Sequence, residues 1–177
     1  MKTNREFHIN FDNKQDHSIE YLLGILKDTR TTTIMTVRNF SANQLDWQYK
    51  EGWNTIGCLL LHISAIEHYF RIVYVEKRDL TEMENIELTP TLDMGGHIPS
   101  LIAGKEIDSY LNELTISRQK LLESFKQVNF ETFSKIFQSK DYGSNSNLAW
   151  ALFHMIEDEI YHRGQISMIK KLMTENK

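Results

Sequence analysis

"TIGCLLLHISAIEHYFRIVYVE", residues 55–76, decides the fold. Ile56, Leu59, Leu60, Ile63, Ile66, Phe70 and Val73 recur there at three- and four-residue steps, which is one face of an α-helix, and Cys58 and Leu61 broaden that face. One polar residue interrupts it. His62 lies between Leu59 at i−3 and Ile66 at i+4, so it shares the apolar stripe.

Three other stretches carry the same period. Over 16–40, Ile19, Leu22, Leu23, Leu26, Thr33, Ile34 and Val37 mark a helix. Its second half, "TRTTTIMTVRN", is rich in β-branched residues that disfavour helix, yet the period persists through it. Ser41 and Gln44 then form a capping-box signature for a short helical turn leading to Leu45 and Trp47. Residues 105–128 place Ile107, Tyr110, Leu111, Leu114, Leu121, Leu122 and Phe125 on one stripe. The last stretch follows the polar turn around Gly143, with Ser146 as expected N-cap, and runs to Met173. Between the second and third lies 77–104, holding Pro90, Pro99, Gly95, Gly96 and Gly104, where little regular structure is expected. Four long helices without a convincing strand pair give an all-α fold: a four-helix bundle of one domain over 1–177, with a long crossover between helices two and three.

Composition narrows the function. Lys+Arg number 20 against 24 Asp+Glu, a net charge of −4, with the lysines scattered. A nucleic-acid binder would show a basic stripe, so no nucleic-acid partner is expected. The one cysteine, Cys58, fits a reducing compartment and a buried apolar position rather than a nucleophile. The N-terminus lacks the apolar run of a signal peptide, and no stretch approaches the roughly 20 apolar residues that cross a bilayer. A cytoplasmic protein without membrane partners is expected.

The last helix carries the chemistry. In "HMIEDEIYHRGQ", residues 154–165, His154, Asp158 and His162 are spaced four apart on one face. Either neighbouring pair could chelate one ion, but His154 and His162 lie about 12 Å apart along the axis and cannot share it. Spacing alone leaves 154/158 and 158/162 open. Glu67 is about 140° around its helix from His62 and is not expected on a metal. Glu157 and Glu159 flank the ligand face and are expected to be solvated or paired with lysines. Trp47, Trp53 and Trp150 are expected in the core or at a subunit interface.

"LLLHI" at 59–63, followed near the C-terminus by "HMIEDEIYHRGQI" at 154–166, resembles the DinB / YfiT-like metalloenzyme family, and "HRGQI" is the most specific piece. The tryptophans and small residues of "QLDWQYKEGWNTIGCLLLHISAIE", 44–67, match as well. The resemblance implies a homodimeric bundle with a divalent metal (zinc, nickel or iron) on one histidine of the second helix and two of the fourth. Carried over by position, the ligands are His62, Asp158 and His162, with His154 a turn beyond the site as a supporting hydrogen-bonding residue. The family commonly has histidine where this chain has Asp158, which makes the site less positive and either draws the metal toward the fourth helix or leaves the site partly vacant. The resemblance further implies a small-molecule substrate and a low-molecular-weight thiol, held by the metal as thiolate and presented to an electrophile. Alternatives are metal-dependent hydrolysis and a non-catalytic, metal-binding stress protein. Gln165, three residues on, is placed to orient His162; for both Arg163 and Gln165 hydrogen bonding between helices that fixes the bundle is the alternative, and His97 in the crossover is expected to contribute to the pocket.

Overall fold

The computed structural model describes residues 17–139 and 145–175. Its long helices are α1 (Ser18–Val37), α3 (Ile56–Phe70), α6 (Ile107–Phe125) and α8 (Leu148–Glu175), with the short α2 (Ala42–Leu45) after α1. The β-branched half of α1 holds because its threonines turn their hydroxyls onto their own helix: Thr31, Thr33 and Thr36 donate to the carbonyls of Lys27, Thr29 and Thr32. The capping box at Ser41 and Gln44 forms as expected. Thr55 caps α3 by accepting from the Cys58 N–H, and a π turn, Arg71–Val75, continues α3 at its far end.

Contacts between helices give their directions. Gly57, Ser64 and Glu67 of α3 meet Tyr110, Glu113 and Ser117 of α6 in the same order, so α3 and α6 run parallel. Arg30 and Arg118 reach the carbonyls of Leu114 and Leu26 respectively, so α1 runs against α6. Phe70 packs on Trp150, while His62 sits by Asp158 and His162, so α3 runs against α8. The order is up-down-down-up, and the parallel α3–α6 pair requires the long crossover.

That crossover is more regular than expected. It forms α4 (Glu82–Asp93) and α5 (Ile98–Ile102). The overlooked start signal is "TEME", 81–84: the Thr81 hydroxyl accepts from the Glu84 N–H while Glu84 accepts from the Thr81 N–H. Pro90 lies inside α4 without ending it, and Pro99 occupies the first turn of α5, where its missing N–H costs nothing. Two other expectations are corrected. Asn147, not Ser146, caps α8: its Oδ1 accepts from the Trp150 N–H at 2.9 Å. Ser146 instead pairs with Phe137 in a two-residue antiparallel ladder, β1 (Phe137–Gln138) with β2 (Asn145–Ser146), which follows α7 (Phe130–Ser134). The turn at Gly143 and the first 16 residues lie outside the described part.

One stretch does reach membrane-spanning composition. Ile56–Val75 has mean hydropathy 1.3 over its most apolar window, but 67% of that window is buried inside the bundle, as suits the core helix of such a fold. Cys58 is buried among Ile98, Ile102 and Leu61.

A charged layer crosses the middle of the bundle, and each long helix supplies one member. Arg30 of α1, Glu67 of α3, Arg118 of α6 and Glu159 of α8 are each at most 7% exposed. Arg30 Nε donates to Glu159 at 2.9 Å and its Nη2 to Glu67 at 3.0 Å. Arg118 Nε donates to Glu67 at 2.7 Å and its Nη2 to Glu159 at 2.9 Å. The Ser117 hydroxyl donates to the other Glu67 oxygen at 2.6 Å. Burial works against the Arg30 charge, but the two glutamates outweigh it and hold its pKa above the ordinary value. Glu159 is thus an interior ion-pair partner of two arginines, not a solvated group paired with lysine. Removing one member strands a buried charge, so Arg118→Met should lower the unfolding free energy by about 3–5 kcal/mol. Urea denaturation reads this directly; a loss below about 1 kcal/mol, typical of a surface pair, contradicts it.

Candidate metal centre

The charged layer sets the register of the neighbouring residues. Glu159 adjoins Asp158 and precedes His162 by less than a turn, while Glu67 follows His62 by five residues on α3. With Glu67 and Glu159 tied to the same two arginines, α3 and α8 bring His62, Asp158 and His162 together. One donor atom from each lies within 4.8 Å of the others. Asp158 Oδ1 is 3.3 Å from His162 Nε2 and 3.8 Å from His62 Nε2. Two ligands of a tetrahedral zinc lie roughly 3.3 Å apart, so the shorter separation matches, while the longer one, and the two imidazole nitrogens within the 4.8 Å span, must draw in around an ion.

The other ring nitrogens are already committed. His62 Nδ1 is 2.7 Å from the carbonyl of Thr91, in the last turn of α4. That carbonyl is one of those left without a partner inside the helix, and it can only accept, so Nδ1 carries the proton. His162 Nδ1 is 2.9 Å from Gln165 Oε1, an acceptor as well. In the neutral rings both Nε2 lone pairs therefore face the Asp158 carboxylate. Such a convergence of lone pairs and negative charge calls for a cation, either a metal or added protons. Asp158 Oδ2 is buried and has no hydrogen-bond partner among the described residues, which leaves a carboxylate oxygen available to an ion. The donors fit a divalent metal, and the Nδ1 bonds are the outer contacts that orient metal-bound histidines.

The ionisation pattern follows from the same contacts. Burial would raise the Asp158 pKa, but the adjacent His162 and His62 imidazoles, in their protonated forms, hold it well below the usual carboxylate range. Burial would lower His162, yet its bond to Asp158, that residue's charge and the Gln165 contact raise it above 6.5.

Other residues fall elsewhere. His154 stacks on Trp150, with ring centroids 5.0 Å apart at 7°, also touches Phe70, and approaches Glu157 rather than the donors. His97 is exposed at the start of α5 and is not among the convergent donors. Glu67 serves the charged layer. Gln165 orients His162, and Arg163 ties α8 to α1 by donating to the Thr29 carbonyl and the Thr32 hydroxyl. Trp150 is buried, whereas Trp53 is 49% exposed. What sequence reasoning missed was Thr91. Its part rests on a backbone carbonyl 29 residues from His62, which no side-chain pattern reports.

A family model described as the DinB superfamily matches residues 25–166, most of the chain. The chain belongs to the DinB superfamily. No curated protein matches it. Among solved structures it is similar to YfiT from Bacillus subtilis, described as a probable metal-dependent hydrolase with an unusual four-helix bundle topology. The two share 15% identity over 95% of this chain and 94% of that one, with a TM-score of 0.64, so the likeness is one of fold. Within the DinB superfamily fold, the up-down-down-up order and the crossover place the candidate donors on α3 and α8.

Protons and metal compete for the same Nε2 atoms. Without metal, the His162–Asp158 interaction stabilises the fold fully below pH 6.5 and is lost as pH rises through the raised His162 value. Zinc affinity should run the opposite way, falling about tenfold per pH unit below that value. Parallel urea denaturation of metal-free protein and zinc titration across pH 5.5–8.5 (an interval of about three units) should show the two trends crossing. Zinc affinity that is flat with pH contradicts this ionisation pattern.

Proposed function

We propose that the chain is a divalent-metal-dependent enzyme in which His62, Asp158 and His162 hold the metal and leave positions open for a small nucleophile. The observation that carries this is the pair of Nδ1 hydrogen bonds, to Thr91 and Gln165, which turn both Nε2 lone pairs onto one carboxylate. When bound, the metal would supply a Lewis acid that lowers the pKa of a thiol or water at its open position. Asp158 brings the net charge of ion and ligands to about +1 for a divalent cation, so the acidifying effect is weaker than at three neutral histidines.

The surroundings favour a thiol as nucleophile. Glu67 and Glu159, the buried carboxylates nearest in sequence, are held by Arg30 and Arg118, and Glu157 is exposed beside His154. No second carboxylate among the described residues joins the three-donor cluster as a base. A thiol, with a pKa near 8.5, needs far less help to lose its proton than water at 15.7. Cys58 is buried against Ile98 and Ile102 and is not among the clustered donors, so the thiol is that of a small cofactor. Its sulfur forms a bond to the electrophilic carbon, the leaving group departs with the electron pair, and the thiol proton passes to solvent. Hydrolysis is the second reading, favoured by the fold's likeness to YfiT, which is described as a probable hydrolase. A homodimer acting on a small-molecule substrate belongs to the same proposal.

Zinc-loaded protein should conjugate a low-molecular-weight thiol to 1-chloro-2,4-dinitrobenzene. His162→Ala and Asp158→Ala should each lose bound zinc and at least ~100-fold of the rate. Cleavage of 4-nitrophenyl acetate without thiol transfer would move the assignment to the hydrolase. Zinc content unchanged in Asp158→Ala would remove that residue from the ligand set.

A further inference from the structure

A cleft of about 320 Å³ lies beside the candidate metal centre. Leu59 precedes His62 by three residues on α3, and Gln165 follows His162 by three on α8; both side chains line the cleft. Because α3 and α8 run in opposite directions, both steps lead toward the same end of the bundle. Each covers roughly 4.5 Å along its helix axis, so the cleft begins one turn from the donors. Trp53, Asn54 and Met168 complete the part used here, and none of the lining side chains carries a charge.

Two features mark the cleft as more than a packing gap. Trp53 and Met168 remain 49% and 55% exposed, large apolar side chains held at a wet surface. Trp53 is nonetheless fixed: its ring packs on Tyr49 at 5.2 Å, and its carbonyl accepts from Gln48 Nε2 at 2.5 Å. The second feature is polar. Asn54 Oδ1 is buried and has no hydrogen-bond partner among the described residues. As oriented this oxygen is turned away from the cleft; a half-turn about χ2, a soft torsion in asparagine, exchanges it with Nδ2 and turns the acceptor toward the cleft that Asn54 lines. Gln165 connects the cleft to the chemistry, since the side chain that walls it also orients His162.

We propose that this cleft is the substrate subsite: it takes an uncharged, apolar or aromatic group bearing an N–H donor, with Trp53, Leu59 and Met168 covering the apolar part and Asn54 accepting from the N–H. The inference rests on the metal-dependent function proposed above and names its substrate class. Charged groups are excluded because nothing in the lining pairs with them and an unpaired charge resists desolvation. Occupancy also affects the metal through Gln165, and linkage makes the effect mutual.

The test uses the full chain labelled at methionine methyl groups, titrated with benzamide by NMR, with benzoate as the anionic comparator that lacks the N–H. Benzamide should shift the Met168 methyl saturably and benzoate should not. Asn54→Leu should weaken benzamide at least ~10-fold. Met168→Trp, which fills the cleft from an exposed position, should abolish binding, followed in that variant by the other methyl signals and by equilibrium dialysis. An unresponsive Met168, equal binding of benzoate, or wild-type affinity in Asn54→Leu overturns the proposal. Repeating the titration with zinc separates the two claims. Zinc uptake without a benzamide response overturns the cleft assignment alone; a benzamide response without zinc uptake supports the cleft and overturns the metal assignment alone.

Discussion

The interaction on which the rest of the structure depends is the buried quartet of Arg30, Glu67, Arg118 and Glu159. Four full charges in a bundle interior are tolerable only when each is paired and hydrogen-bonded, and here every long helix must contribute its member at one level. Apolar side chains can slide past one another at modest cost, but these four cannot. A slip of α8 by one turn would carry Glu159 about 5.4 Å from both arginines. The quartet therefore fixes helix register where the apolar clusters on either side of it, around Phe70 and Trp150 at one end and Ile63 and Ile166 at the other, leave latitude.

Register is what the candidate metal centre requires. His62 comes from α3, Asp158 and His162 from α8, and the crossover adds α4, whose last turn supplies the carbonyl that holds His62. The same carbonyl end places the negative pole of a helix beside the candidate cation site. Each histidine has one nitrogen spoken for and one turned to the carboxylate, so orientation is set before any ion arrives. An aspartate among the candidate donors would leave a bound ion and its ligands with a lower net charge than three neutral imidazoles, which favours nucleophiles that are already acidic.

Much of this was legible in the sequence, for physical reasons that differ by residue. The four long helices show as period, because burying one face of a helix leaves a mark every three or four residues. The level of the donors on α8 did not follow from spacing, which left 154/158 and 158/162 equal; the family pattern separated them, and the structure groups the second pair with His62. Glu159 has no local signature of its role, because its partners lie 41 and 129 residues away and a carboxylate on a charged-looking helix gives no hint of them. In the crossover, the Thr81–Glu84 capping box outweighs the one internal proline, Pro90, because the strained turn can face solvent. Ser146 and Asn147 are both good caps, and only the pairing of Ser146 with Phe137 decides between them.

The central claim is that two imidazoles and one carboxylate, and no protein sulfur, hold a divalent ion in this bundle. X-ray absorption at the zinc edge of stoichiometrically loaded protein addresses it most directly. A shell of nitrogen and oxygen near 2.0–2.1 Å, with outer scattering from two imidazole rings, is the predicted result. A sulfur scatterer near 2.3 Å, or the outer scattering of fewer than two imidazoles, would contradict it.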